Sequence, residues 1–223
     1  MKGVLVEAEW APRENYPLSG YEKENHIAYR GNMVWKNSSL NVVNDLPMPE
    51  ISPSQVLIEI SACGICGTDR NIIIKDQDGY INFSSQCKFP QVLGHQIVGK
   101  IIEKGKDVNG FILGEIVCLE GIQWCGKCAS CKKGDFNHCL NRRQIGLDIE
   151  YSGGYAEFIS VEAKYCYSLK SLHQNYSNIS DIIDLGALIE PIAGVYEGMF
   201  SYGGFLPGQN VAVFGAGMSG IAA

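Results

Sequence analysis

The stretch Phe89-Pro90-Gln91-Val92-Leu93-Gly94-His95-Gln96-Ile97-Val98-Gly99-Lys100-Ile101-Ile102 decides the reading of this chain. It sets one histidine between two short apolar runs of strand character. With Cys66 upstream and Glu190 downstream, His95 completes an offer of thiolate, imidazole and carboxylate that suits one borderline-soft cation, zinc above all. A lone histidine on a strand edge is more often a satisfied structural residue, so the reading rests on the motifs around it.

Upstream, Gly3-Val4-Leu5-Val6, Leu40-Asn41-Val42-Val43 and Gln55-Val56-Leu57-Ile58-Glu59-Ile60 have strand character, and Pro47, Pro49 and Pro53 exclude a helix between the last two. From Glu14 to Lys36 the aromatic residues Tyr16, Tyr21, Tyr29 and Trp35 follow neither period, so this segment reads as a surface excursion. Many short strands with turn signals describe a β-barrel or sandwich. Between the third strand and the histidine lies Ser61-Ala62-Cys63-Gly64-Ile65-Cys66-Gly67-Thr68-Asp69-Arg70-Asn71. Its two cysteines lack a matching pair for a zinc knuckle, so Cys66 alone reads as a ligand and Cys63 as a small buried residue. Thr68 can supply a hydroxyl for proton transfer, and Asp69 a carboxylate to orient the ring of His95.

Downstream, a Gly-punctuated strand region from Val108 to Leu119 precedes the most specific signal in the chain. Cys125, Cys128, Cys131 and Cys139 are spaced C-x2-C-x2-C-x7-C. Four thiolates on a short loop meet the closed tetrahedral demand of structural zinc, and a redox C-x-x-C would leave Cys131 and Cys139 unexplained. His138 is a conceivable fourth ligand in place of Cys139, though sulfur is the simpler choice. Gly153 to Val161 returns to alternation. Ser180 or Asp181 can cap a helix through Ile182, Ile183, Leu185 and Leu188, which Pro191 is expected to interrupt before a second helix begins. Glu190 then stands at the mouth of that second helix, as a cap-like acid or as a metal ligand. Asn210-Val211-Ala212-Val213-Phe214 reads as a buried strand leading into Gly215-Ala216-Gly217-Met218-Ser219-Gly220, a G-x-G-x-x-G turn that lets backbone approach a pyrophosphate.

A net charge of -6 argues against nucleic acid or an anionic membrane as the main partner and favours a small, mostly neutral ligand. The first residues carry acid and no long apolar region, so they do not read as a signal peptide. No apolar run approaches the roughly 18 residues of a membrane span. A cytoplasmic location is expected, where nine cysteines serve as metal ligands and small buried groups rather than disulfides.

Taken together, Cys63-Gly-Ile-Cys66-Gly-Thr68-Asp69, Gly94-His95, the four-cysteine lobe, Gly153-Gly154-Tyr155-Ala156-Glu157, Glu190-Pro191 and Gly215-Ala-Gly217-x-x-Gly220 resemble the zinc-dependent medium-chain alcohol and polyol dehydrogenases. Glu190-Pro191 is similar to the sorbitol-dehydrogenase-like branch. The N-terminal excursion, Asp78-Gly79-Tyr80-Ile81, Trp124-Cys125-Gly126 and Val161-Glu162-Ala163-Lys164-Tyr165 resemble members that act on an inositol-derived ring. The resemblance implies a mixed β and α/β fold. A GroES-like β-barrel catalytic domain would occupy residues 1–175, with the zinc lobe at about 120–145. Inter-domain helices and the first βα element of a Rossmann domain would occupy 176–223. It further implies a catalytic zinc on Cys66, His95 and Glu190, a structural zinc on Cys125, Cys128, Cys131 and Cys139, and NAD or NADP at Gly215, Gly217 and Gly220. A polyol or cyclitol would be the substrate, with Thr68 carrying its proton, in a protein that is a homo-oligomer at full length.

Three departures from the family pattern shape the expectations. Asn71 stands where a titrating histidine is usual, and Gln96 stands where glutamate usually follows the zinc histidine. Glu190 is therefore expected to be a ligand in its own right. The ribose-reading acid, about 20 residues beyond the glycines, falls past Ala223. The 223-residue chain is accordingly expected to be a fragment, a split form or a decayed product that does not turn over alone. The competing expectation is a non-catalytic zinc-ribbon binding module.

Overall fold

The computed structural model describes residues 1–148 and 152–223. Ten strands and five α-helices follow one another among these residues. The three upstream strands form and run longer than the apolar runs alone required: β1 is Gly3–Trp10, β2 Trp35–Val43 and β3 Gln55–Gly64. After α2, Gly67–Ile73, come β4, Gln91–Val92, and β5, Gln96–Lys104, on either side of the histidine. Strands β6 (Ile116–Leu119), β9 (Phe158–Glu162) and β10 (Cys166–Ser168) complete a five-stranded antiparallel sheet in the order β10-β6-β5-β3-β9. A second sheet has the order β2-β1-β4, and β7 (Ile122–Gln123) pairs with β8 (Arg143–Gln144) at the base of the cysteine lobe.

The excursion holds an element that irregular aromatic spacing concealed. Helix α1, Gly20–Asn25, is nucleated by a capping box: Glu22 N donates to Ser19 Oγ at 3.2 Å and Ser19 N to Glu22 Oε2 at 2.7 Å. The region expected as strand from Val108 is strand only at Ile116–Leu119, because Gly110 and Gly114 turn the chain at φ +89° and +84°.

Two apolar cores lie against these sheets. Val56, Ile58, Ile97, Ile101, Val117 and Ile159 pack the first; Val6, Trp35, Ile72, Phe89 and Leu93 belong to the second. The two flank Gly94-His95, so the histidine is carried between rigid masses. A third cluster, Val98, Cys118, Leu169 and Ile182, fastens helix α4, Ile179–Tyr196, onto the large sheet. Gly186 permits this approach, since a Cβ there would come within 2.7 Å of side-chain carbons of Leu169 and Val98.

Three expectations for the C-terminal part are corrected. The cap of α4 is Asn178, whose Oδ1 accepts from Ser180 N at 3.1 Å, rather than Ser180 or Asp181. Pro191 lies inside α4 without ending it. A proline costs the bond its nitrogen would have made, and here the packed face of α4 outweighs that loss. Asn210–Phe214 forms no strand, and Phe214 is 97 % exposed. A parallel strand needs a hydrogen-bonded neighbour, and none is present among the described residues. Among the described residues no helix is long and apolar enough to cross a membrane.

Glu115, its side chain only 1 % exposed, ion-pairs with Lys170 at 2.9 Å and accepts from Ile112 N at 3.0 Å. Burial alone raises its pKa, but bonds from Ser168, Ile112 and Lys170 outweigh this and hold it below the usual glutamate value. The folded value lies below the unfolded one, so this stability is present above the unfolded pKa and is lost as pH falls through the folded one. Glu115→Gln is therefore expected to lower the melting temperature at pH 7 and to converge on the parent in acid; a constant gap from pH 7 to pH 3 would refute the assignment.

Candidate metal and substrate site

Gly94 makes the turn that presents His95. Its φ of +94° is left-handed, and a Cβ there would meet Cys63 Sγ at 2.8 Å and the Tyr155 ring at 3.0 Å. His95 is buried, and its Nδ1 has no hydrogen-bond partner among the described residues. A buried imidazole nitrogen without a partner is unusual enough to call for a ligand or an acceptor. Cys63 is only partly buried, packed against the first core rather than within it, and desolvation pushes its thiol up to about 12.

Cys66 is the N-cap of α2 and Asp69 its third residue. This spacing sends the carboxylate back to the cap: Cys66 N donates to Asp69 Oδ2 at 2.8 Å, and Tyr155 OH donates to the same oxygen at 2.8 Å. Asp69 thus fixes the Cys66 turn and does not bond His95, contrary to the expectation that it orients that ring. Its other oxygen, Oδ1, is buried without a partner among the described residues. Burial, then the charge of Asp69, pushes the Tyr155 hydroxyl well above its ordinary range, so it remains a donor. Nothing in the run Gly153-Gly154-Tyr155 announced that partnership.

Glu190 sits in the interior of α4, and the expectation that proline leaves it at a helix mouth is withdrawn. It reaches the barrel through Gln96, whose Nε2 donates to Glu190 Oε2 at 3.0 Å. Gly64, opposite Gln96 in the β3–β5 ladder, gives that amide room, since a Cβ there would lie 2.3 Å from Gln96 Oε1. Glu120 is a carboxylate the sequence reading missed. Burial raises its pKa, a bond from Ile122 N lowers it, and the charge of Glu190 raises it further. The adjoining Gly121 stands close enough that a Cβ would lie 3.6 Å from His95.

In the lobe, the sulfurs of Cys125, Cys128, Cys131 and Cys139 all lie within 4.8 Å of one another. Tetrahedral zinc with bonds of about 2.3 Å places its sulfurs roughly 3.8 Å apart. The Cys128–Cys139 separation of 4.0 Å fits. Backbone N–H groups of Lys127 and Cys128 bring the Cys125 thiol down to about 6, whereas burial pushes Cys131 up to about 12. His138 stands edge-on to Tyr202, outside the cluster. Cys66, His95 and Glu190 do not have their ligand atoms gathered in this way; among the described residues only the four cysteines do.

Gly215 takes a φ of +104°, and a Cβ on Gly220 would strike Gly215 O at 2.0 Å, while Gly217 caps α5, Met218–Ala222. The glycine turn is therefore formed even though the strand before it is not.

A model of the alcohol dehydrogenase GroES-like domain matches residues 52–171. The chain is 35% identical to scyllo-inosose 3-dehydrogenase of Thermotoga maritima over 231 residues, covering 100% of this chain and 58% of the relative. A solved structure of an alcohol dehydrogenase from Thermotoga maritima superposes with a TM-score of 0.92 at 34% identity, over 99% of this chain and 57% of that one. A zinc-binding dehydrogenase from Sinorhizobium meliloti, solved bound to NADP, gives a TM-score of 0.65 at 30% identity over 88% of this chain and 51% of that one. The chain thus spans little more than half the length of these relatives. On its domain match and its fold, it belongs to the alcohol dehydrogenase family with a GroES-like domain.

Proposed function

We propose that this chain carries the catalytic half of a zinc-dependent, NAD- or NADP-linked oxidoreductase that interconverts a secondary alcohol of a polyol or cyclitol with its ketone. The buried Nδ1 of His95, without a hydrogen-bond partner among the described residues, supports this reading, and the neighbouring Gln96 bonds Glu190. The similarity to scyllo-inosose 3-dehydrogenase supports a ring polyol. Residues 1–175 form the catalytic part and 176–223 the approach to the nucleotide half. All nine cysteines are free thiols, which suits a reducing cytosol.

Cys66, His95 and Glu190 would hold the catalytic zinc, Cys125, Cys128, Cys131 and Cys139 the structural one, and the turn at Gly215, Gly217 and Gly220 the nucleotide phosphates. When bound, the zinc would supply Lewis acidity and the nicotinamide a hydride-accepting ring. The chain itself positions and moves the proton. Thr68, half-buried on α2, offers the hydroxyl that takes the alcohol proton. The Tyr155–Asp69–Cys66 bonds keep the start of α2, and hence Thr68, from shifting. Asn71 cannot titrate, so the proton leaves from Thr68 to water rather than through a side chain.

Native mass spectrometry of the purified chain is expected to count two zinc ions. One ion alone would favour the competing reading, a zinc-ribbon module without catalysis.

A further inference from the structure

A polar cleft of about 380 Å³ opens beside Thr68 and Cys139. Tyr29 and residues 83–86 form one wall, and residues 139–148 form much of the other. Both walls are set by backbone bonds. Gly31 N donates to Ser85 O at 3.0 Å and Asn32 N to Phe83 O at 2.8 Å; across the cleft Lys88 N donates to Leu147 O at 2.9 Å and Asp148 N to Gln144 O at 3.2 Å. The shape therefore exists before any ligand arrives, which removes much of the ordering cost of binding.

The lining is rich in planar groups that present two hydrogen-bonding atoms at once. Arg143 Nε is engaged by Asp148 Oδ1 at 3.1 Å, but the neighbouring Arg142 guanidinium makes no hydrogen bond or ion pair among the described residues. Asp148 Oδ1 also accepts from Gln144 N at 2.8 Å, and its Oδ2 makes no bond among those residues. The amides of Gln86 and Gln144 complete the polar set, and Tyr29 and Phe83 add aromatic rings. A larger groove of about 640 Å³, along Val4, Leu40, Val42 and Ile60, is almost wholly apolar and holds little to orient a hydroxylated molecule.

We propose that this cleft seats a neutral ring polyol bearing adjacent hydroxyls, with Arg142 as the residue that sets its specificity. The rigid guanidinium fork donates to two neighbouring oxygens, Gln86 and Asp148 serve hydroxyls on either wall, and the ring's C–H face rests on an aromatic side chain. A cyclic polyol suits such a preformed site better than a linear one, which must freeze several torsions to present the same oxygens. The proposal rests on the oxidoreductase reading only in making the bound ring the substrate, placed next to Thr68.

The test is calorimetric titration of the purified 223-residue chain with myo-inositol and with sorbitol, with zinc counted in the same samples. Myo-inositol is expected to bind more tightly than sorbitol. Arg142→Ala is expected to weaken it by at least about tenfold, the effect of losing a hydrogen bond to a charged group. Gln86→Ala, on the opposite wall, is expected to weaken it severalfold, and exposed Lys133→Ala to leave it unchanged. No binding, equal binding of sorbitol, or unchanged affinity in both the Arg142 and Gln86 variants overturns the proposal, even with two zinc ions present. Arg142-dependent binding with one zinc ion keeps the seat and removes the oxidoreductase reading instead.

Discussion

Replacing Cys139 with serine is expected to release the lobe's metal and to destabilise the chain by about 4 kcal/mol or more, a range that few single substitutions reach and that loss of a bound metal does. The four sulfurs lie within 4.8 Å of one another, and little apolar packing within the lobe would hold them there. Trp124 stacks on Phe136 at 4.1 Å and meets Tyr165 edge-on, but Lys127 and residues 132–138 are exposed. The thiols are also unequal. Backbone N–H donors pull the Cys125 thiol down toward the thiolate, while burial pushes Cys131 up, so a cation must displace the proton of Cys131. A site built this way is assembled by its ion. Zinc content falling by one ion per chain, together with a lower melting temperature, would bear this out; an unchanged zinc count and melting temperature would show that the lobe stands on its protein contacts alone.

The lobe was legible because ligand chemistry writes itself into spacing: C-x2-C-x2-C-x7-C has few other uses. The barrel strands were legible for a different reason, since Val56, Ile58, Ile97 and Ile101 are apolar where the sheet must be buried. What could not be read were bonds between distant side chains. Tyr155 to Asp69 spans 86 residues and Gln96 to Glu190 spans 94, and neither pair has a local signature. Two local rules give way where tertiary packing decides. Pro191 was expected to end a helix that Val98, Cys118 and Leu169 hold in place, and Asn210–Phe214 was expected to be strand on apolar content alone, although a strand is defined by its neighbour. The capping box at Ser19–Glu22 was the reverse case, a local signature present but passed over because the aromatic residues around it had no period.

Glu190→Ala is expected to reduce bound zinc from two ions per chain to one, with affinity for the second falling by more than about 100-fold, beyond what loss of an outer partner of a metal ligand costs. Gln96 explains why this carboxylate matters. With an amide at that position, no acid adjoins His95 in sequence, and the negative charge must arrive from α4. The 3.0 Å bond from Gln96 Nε2 aims Glu190 at the barrel, near Glu120. The fold itself should survive, because Glu190 is only half-buried and the substitution removes one hydrogen bond, worth about 1 kcal/mol. Glu190→Gln separates the two contributions: it can keep a bond with Gln96 while removing the charge, and it should lose the same zinc. If both variants keep two ions, Glu190 serves only to anchor α4 to Gln96, and a metal at His95 must draw its charge from elsewhere, with Glu120 a carboxylate to try.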